Sequence, residues 1–375
     1  MSRIRVALLG ASGSIGLQAA DVIAQHPDEF ELVALASGRG GEQHGALASA
    51  NPKARSLLAG SADDLRSLVL DVAPDIALIA TTGVVGLAAT VAALEASVAV
   101  AIANKETIVA GGDVVMRAAR AAAERKGSNV LERLRPVDSE HSALWQCLAG
   151  ESLDRVRSLW LTASGGPLRD ATAAEIAAAL PATALKHPTW SMGAKITIDS
   201  ATLVNKGLEA IEAHRLFSVP MEQVKILVHP QSVVHGLVEF VDGSSKAQMG
   251  SPDMRGPIGY ALGYPVRMAA TIPNVDLASH GSLTFATPDL ARFPGLAIAL
   301  EAGRAAGAAP GALIAADGVA VDRFLAGDFP LGGIPQLLRD AVDQFGSRPS
   351  PASVEEVIAL HEEVTQFAER WSGAT

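Results

Sequence analysis

The chain has 375 residues, enough for two or three domains, and its 49% hydrophobic and 19% charged content excludes wholesale disorder. A net charge of −10 argues against nucleic acid as a main partner, yet a few local cations can still hold a small anion in a cleft. The single cysteine, Cys147, excludes an internal disulfide and a cysteine-based zinc site and suits a reducing compartment.

The N-terminal stretch Met1 to Gly10 has too short an apolar run for a signal peptide. Ile76 to Leu94 carries no charge over a length close to that of a membrane span, but Thr81, Thr82, Gly83 and Gly86 interrupt it. A strand, a glycine turn and a helix explain it better, so the chain is expected to be cytoplasmic with no membrane partner. Ile4 to Leu9 predicts a strand, Ser14 to Gln25 a helix, Phe30 to Ala36 a strand and Glu42 to Ala50 a helix. Ala54 to Leu58, Ile76 to Ala80 and Val98 to Ala103 read as strands, with a helix over Ala62 to Val72. Such alternation predicts an α/β fold, a Rossmann-like parallel sheet wrapped by helices, with ligands at the carboxyl ends of its strands. Past Gly150, Arg155 to Thr162 and Val224 to Val228 read as strands, and Val233 to Phe240 and Ser245 to Met249 as a hairpin about Asp242-Gly243. The last part reads as helices over Leu296 to Ala306, Gly311 to Ala326, Ile334 to Phe345 and Val354 to Trp371. The expected division is a nucleotide domain over 1–149, a central α+β catalytic and dimerisation domain over 150–285, and a C-terminal helical bundle over 286–375.

Gly10, Ala11, Ser12, Gly13, Ser14, Ile15 and Gly16 follow the first strand directly. Glycines at a strand–helix junction let backbone N–H groups approach a pyrophosphate at the positive helix end, so a dinucleotide site is expected. The spacing departs from the usual three-glycine pattern, with Ala11 standing where its first glycine would be. The second strand ends in Ser37-Gly38-Arg39-Gly40, with no acid for a ribose hydroxyl and an arginine suited to a 2′-phosphate, which favours NADPH over NADH. The lesser alternative is that Arg39 is a solvated loop residue.

Asn104-Lys105-Glu106 follows a buried strand, either as a simple terminator or as polar groups over the cofactor crevice. In Asp138-Ser139-Glu140 an extended backbone would turn both carboxylates the same way, toward a hard cation such as Mg²⁺ or Mn²⁺, with Glu209 as a third ligand. Co²⁺ is a further alternative. His141 beside them reads as structural. Ser164-Gly165-Gly166-Pro167 has the composition of an anion-binding nest. From Asp199 or Ser200 as N-cap, an amphipathic helix would place Val204, Leu208 and Ile211 on one face and Asn205, Lys206 and Glu209 on the other. That second face is either a solvated surface or, with Ser200 and Ser164, a phosphate and metal site. Cys147, flanked by Leu144, Trp145 and Leu148, reads as a buried inert thiol and not as the nucleophile of an aldehyde dehydrogenase.

These residues resemble the 1-deoxy-D-xylulose 5-phosphate reductoisomerase family. The resemblance runs through GASGSIG at 10–16, NKE at 104–106, PVDSEH at 136–141 and SGGP at 164–167. It continues through HPTWSMGAKITIDSATLVNKGLE at 187–209, HPQSVVHG at 229–236 and GSPDMRGPIGYAL at 250–262. It implies an NADPH-dependent, divalent-metal-dependent rearrangement of a phosphorylated sugar by retro-aldol cleavage and re-addition, followed by hydride reduction, in a homodimer of the isoprenoid precursor pathway. Asp138, Glu140 and Glu209 would be metal ligands and, with Lys105 and His187, the catalytic set. Lys105, Ser139, Glu140, Ser164, His187, Trp190, Met192, Ser200, Asn205, Lys206 and Glu209 would contact substrate. Gly10, Ser12, Gly13, Ser14, Ile15, Gly38, Arg39, Gly40, Asn104, Glu106 and Gly193 would contact NADPH. A flap at 187–196 would close over the ligand through Trp190 and Met192, with His229 supporting the site from behind the flap helix. Three departures stand out: Gly40 where the family often has Asn, Ala194 where a base is frequent, and Thr107 for a common Ser.

Overall fold

Alternating buried strands and helices carry the first third of the chain. A computed structural model describes residues 2–186, 193–269 and 272–373. In chain order the elements begin with β1 (Ile4–Leu9), α1 (Ser14–Gln25), β2 (Phe30–Ser37), α2 (Gly41–Ala50), β3 (Arg55–Leu58), α3 (Ala62–Val72) and β4 (Ile76–Ile79). Next come α4 (Leu87–Glu95), β5 (Ala99–Ile102), α5 (Lys105–Lys126), α6 (Val130–Arg133), β6 (Leu134–Pro136) and α7 (Ser139–Leu148). The chain continues with β7 (Val156–Ala163), α8 (Ala173–Ala178), α9 (Pro181–Ala184), α10 (Ala194–Thr202), α11 (Val204–Phe217), β8 (Val224–Val228), β9 (Val234–Phe240) and β10 (Ser245–Met249). It ends with α12 (Arg255–Gly263), α13 (Leu277–His280), α14 (Pro294–Ala305), α15 (Ala309–Ala326), α16 (Gly333–Phe345) and α17 (Val354–Arg370).

Two compact units emerge, Met1–Trp145 with Asp253–Asn274, and Gln146–Pro252 with Val275–Thr375. The first unit holds a six-stranded sheet in the order β3-β2-β1-β4-β5-β6, all pairs parallel. This is the Rossmann order, in which the chain reverses direction of progress between β1 and β4 and leaves a crevice at their carboxyl ends. All four residues of β4 and of β5 are buried, as expected for central strands covered on both faces. The segment 253–274, assigned from sequence to the central domain, belongs here instead. Ile258, Ala261 and Leu262 of α12 join the core of Val6, Leu8, Val22 and Leu78, and the buried Arg135 donates to the Ala261 carbonyl at 2.8 Å.

The second unit holds a mixed sheet, β10-β9-β7-β8, in which β7 and β8 run parallel and the β9–β10 hairpin is antiparallel. The C-terminal helices are part of this unit and not a separate bundle: α14 packs on α11, and α15 on α16, α17 and α10. Among the described residues no helix is long and apolar enough to cross a membrane.

Candidate active site

In the first unit, β1 runs into a turn whose geometry requires glycine at Gly10. Its φ is +92°, and a Cβ there would lie 2.2 Å from the Ala80 carbonyl oxygen at the end of β4. Gly10 and Ala11 both donate to the Ala36 carbonyl, at 2.9 and 2.8 Å, so the turn is fastened to the end of β2. α1 then starts from Gly13, with no side-chain cap among the described residues and no acid in its first turn. Its leading N–H groups, including those of Ser14 and Ile15, are left for a ligand, and the helix end is positive. Gly38, Arg39 and Gly40 are exposed in the turn after β2, and Ser12 Oγ donates to the Arg39 carbonyl at 2.6 Å. The predicted nucleotide residues are therefore brought together on two adjoining turns.

Asn104 ends β5, but its side chain is spent inside the protein. Its amide donates to the Thr81 and Gly83 carbonyls at 2.6 and 2.9 Å, and its oxygen caps α5 by accepting from Thr107 N–H at 2.6 Å. Asn104 thus fixes the turn after β4, and Thr107 takes part through its backbone. Glu106 lies half-buried in the first turn of α5. Lys105 forms an ion pair with Asp138, both side chains being largely buried.

The extended reading of Asp138-Ser139-Glu140 is corrected here. Ser139 and Glu140 open helix α7, and Asp138 Oδ1 accepts from the Glu140 N–H at 3.1 Å and from His141 Nδ1 at 2.9 Å. Asp138 is therefore positioned by the helix start, because a short carboxylate satisfies N–H groups that a helix cannot pair internally. Glu140 takes the Ser139 hydroxyl at 2.6 Å. His141 is fully buried and orients Asp138, in keeping with its structural reading.

In the second unit, Ser164 directly follows β7. Gly165 and Gly166 follow with φ of +88° and +70°, and a Cβ on Gly166 would lie 2.4 Å from the Ser200 carbonyl. Glycine thereby lets the Ser164 turn lie directly against the end of α10, which brings Ser164 and Ser200 into one corner. Asp199 and Ser200 are not N-caps. α10 begins at Gly193 and runs through both, so Ala194 to Ile196 of the expected flap are helical. His187, Trp190 and Met192 lie outside the described residues. Leu203, at φ +58°, breaks the helix, and α11 restarts at Val204, whose N–H donates to the Thr202 hydroxyl at 3.3 Å.

The face carrying Lys206 and Glu209 is not solvated. Lys206 is 4% exposed and Glu209 1%, and they pair at 2.5 Å, while the Asn205 amide donates to the other Glu209 oxygen at 2.5 Å. Asn205 Oδ1 is buried with no hydrogen-bond partner among the described residues. The first turn of α11 therefore offers a positive helix end, an amide and an ammonium in one place, the composition of an oxyanion site.

Sequence reasoning missed one ionic cluster. Lys195 bridges Asp199 on α10 and the fully buried Asp317 on α15, which ties α10 to the C-terminal helices. The four-residue spacing of Lys195 and Asp199 was its one local signal. His229 is fully buried. Its Nδ1 donates to the Thr284 carbonyl at 2.9 Å, its Nε2 accepts from the Val233 and Val234 N–H groups at 3.2 Å each, and its ring stacks on Phe285. Cys147 is buried as expected, and burial pushes its thiol up to about 11, so it carries no nucleophilic thiolate at neutral pH.

Sequence comparison agrees with these motifs. The family models described as 1-deoxy-D-xylulose 5-phosphate reductoisomerase, its C-terminal domain, and DXP reductoisomerase C-terminal domain match residues 6–53 and 42–112, 134–217, and 249–367 respectively. The chain is 46% identical over 392 aligned positions to the 1-deoxy-D-xylulose 5-phosphate reductoisomerase of Anaeromyxobacter sp. (strain K), covering 99% of this chain and 97% of that one. The Zymomonas mobilis enzyme, solved in complex with NADPH, superposes with a TM-score of 0.88 at 36% identity and 98% coverage of both chains. A DOX-P reductoisomerase solved with NADPH, fosmidomycin and magnesium gives 0.85 at 34% identity and 97% coverage of both. With similarity of this strength over nearly the whole length, the chain belongs to the 1-deoxy-D-xylulose 5-phosphate reductoisomerase family.

Proposed function

We infer that Asp138, Glu140 and Glu209 hold the divalent metal, and Ser164, Ser200, Asn205 and Lys206 the phosphate, in the NADPH-dependent conversion of 1-deoxy-D-xylulose 5-phosphate to 2-C-methyl-D-erythritol 4-phosphate that this chain catalyses. The observation that carries this reading is the buried Lys206–Glu209 pair in the first turns of α11. Burying this charged pair beside an amide oxygen that finds no donor among the described residues is costly, and a bound cation would offset that cost by using the oxygens. The donor set is all oxygen, which suits magnesium or manganese. The turn from Gly10 to Ile15, with its free helix N-terminus, suits the NADPH pyrophosphate, and Arg39 its 2′-phosphate.

When bound, the metal supplies Lewis acidity and NADPH supplies the hydride. The chain's own residues do the rest. Asn205 and Lys206 neutralise the phosphate and fix that end of the substrate. Lys105, already paired with Asp138, places a cation beside one proposed metal ligand and restrains its orientation. Ser139 holds the Glu140 carboxylate from the side. Asn104 holds the Thr81–Gly83 turn in place for the cofactor through its own hydrogen bonds. His187, Trp190, Met192 and Gly193 are assigned to substrate and cofactor contact and to excluding water, and the working form to a cytoplasmic homodimer. These assignments rest on the family's motifs.

The test is direct. Folded protein supplied with NADPH, Mg²⁺ and 1-deoxy-D-xylulose 5-phosphate is expected to consume NADPH, read as loss of its near-ultraviolet absorbance. No consumption by protein that binds NADPH would overturn the reading.

A further inference from the structure

His44 is a buried titratable group, 6% exposed, that the catalytic account leaves unused. It lies in the first turn of α2, where Glu42 and Gln43 face outward, and its ring points back under the turn that follows β2. His44 Nδ1 is 3.0 Å from Ser37 Oγ, and Nε2 is 2.7 Å from Ser56 Oγ on β3. Ser37 Oγ also accepts the Ser12 N–H at 3.2 Å. The Ser12 N–H takes one lone pair of Ser37 Oγ, and the remaining lone pair and the hydroxyl proton both lie within reach of Nδ1, while Nε2 pairs with the Ser56 hydroxyl. The resulting chain is continuous: Ser12 N–H to Ser37, Ser37 to His44, His44 to Ser56.

Ser12 is tied a second time, through its own hydroxyl, to the Arg39 carbonyl at 2.6 Å. The glycine turn after β1 and the Ser37–Gly40 turn after β2 are therefore joined through side chains at Ser12, and the buried Ser37 that receives its N–H is in turn hydrogen-bonded to His44. The second turn is where a parallel sheet of this order distinguishes a 2′-phosphate from a 2′-hydroxyl.

We propose that His44 is a positioning residue for cofactor choice, which locks Ser37 and thereby sets the Ser12–Arg39 contact that shapes the 2′-phosphate end of the nucleotide site. This rests on the NADPH reading given above. His44 touches neither the reacting atoms nor the cofactor; it acts through Ser37.

Replacing His44 by Leu keeps most of the volume and removes both ring nitrogens. The NADPH dissociation constant, read from cofactor fluorescence, is expected to rise about tenfold, the size of effect expected for one lost buried hydrogen bond. NADH binding should fall less, so the preference for NADPH narrows, while turnover at saturating NADPH changes by less than about twofold. In His44→Asn the amide oxygen stands near the place of Nδ1 and accepts the Ser37 proton, so most of the NADPH affinity should return. In His44→Gln the amide reaches toward Ser56 and not Ser37, and the affinity should stay low. Equal losses for NADH and NADPH would overturn the proposal, as would an Asn variant no better than Gln. If the Leu variant does not fold, the Asn and Gln pair alone decides between the same outcomes. Failure of the parent protein to bind NADPH would instead overturn the cofactor reading.

Discussion

The turn after β1 in the first unit and the α10–α11 corner in the second both suit an anion, and they are made of opposite materials. The first is nearly all backbone: Gly10 allows a close approach to Ala80, and the free N–H groups of α1 face outward with no charged side chain in the first helical turn. The second is side chain and charge, with Lys206 and Glu209 both buried and paired. A backbone site has a fixed shape and costs little desolvation, because its dipoles are already oriented. A buried-charge site carries a large desolvation cost that its partners must offset, and in exchange it holds a doubly charged group tightly. Substitutions in the second region should therefore cost more, and cost activity first.

The largest effect is expected from Glu209→Gln. This change keeps the shape and removes the charge that Lys206 and the proposed metal both use, so turnover should fall by at least about a hundredfold. NADPH affinity should change little, because the nucleotide turn belongs to the other unit. Fluorescence titration beside a turnover assay checks this, and equal losses in both would make Glu209 a structural residue. Lys206→Ala comes next. Taking the ammonium from a carboxylate that is 1% exposed should cost about 3 kcal/mol, seen as a lower urea midpoint, and should raise the Michaelis constant strongly. Unchanged stability and kinetics would return Lys206 to a solvated face.

Gly10→Ala tests the backbone site. The new Cβ would meet the Ala80 carbonyl at 2.2 Å, at a φ of +92° that alanine rarely adopts. Displacing the turn should cost about 1–3 kcal/mol of stability and weaken NADPH binding while leaving turnover at saturating cofactor closer to normal. Calorimetry with and without NADPH separates the two effects. A variant with parental NADPH affinity would break the contrast drawn between the two regions.

The two regions also differ in how legible they were. The strands of the first sheet stood out because runs such as Ile76 to Ile79 are wholly apolar, and the glycine turn stood out from its composition. β6 did not, since Leu134–Pro136 is only three residues long and ends in proline. In the second unit the hydrophobic period misled, because α11 is buried nearly all round and its polar residues face other charges. The break between α10 and α11 falls on Leu203 at φ +58°, a residue type that gives no local signal for a left-handed backbone. Asp138 and Glu140 were read in an extended backbone, where residues two apart point the same way; the real setting, at a helix start, depends on hydrogen bonds from Glu140 and His141 that only the fold supplies. The family's motifs located these residues where periodicity could not.

Cys147 should give the smallest effect, and it bounds the comparison from below. The thiol is buried at the end of α7, and burial, opposed by the charge of Lys246, pushes it up to about 11. At neutral pH it is protonated, so Cys147→Ala should leave turnover unchanged and cost no more than about 1 kcal/mol. Alkylating reagent should likewise leave the folded enzyme active. A pH dependence follows with a definite sign. The unfolded chain releases this proton near the ordinary value of 9.0, whereas the folded chain keeps it until about 11. Between those values the folded state binds more protons, so stability falls as pH rises, and the contribution is constant below them. The parent should therefore lose urea midpoint faster than Cys147→Ala as pH rises through that window. Identical slopes would mean that the thiol is hydrated, and rapid inactivation by alkylation would make it part of the site.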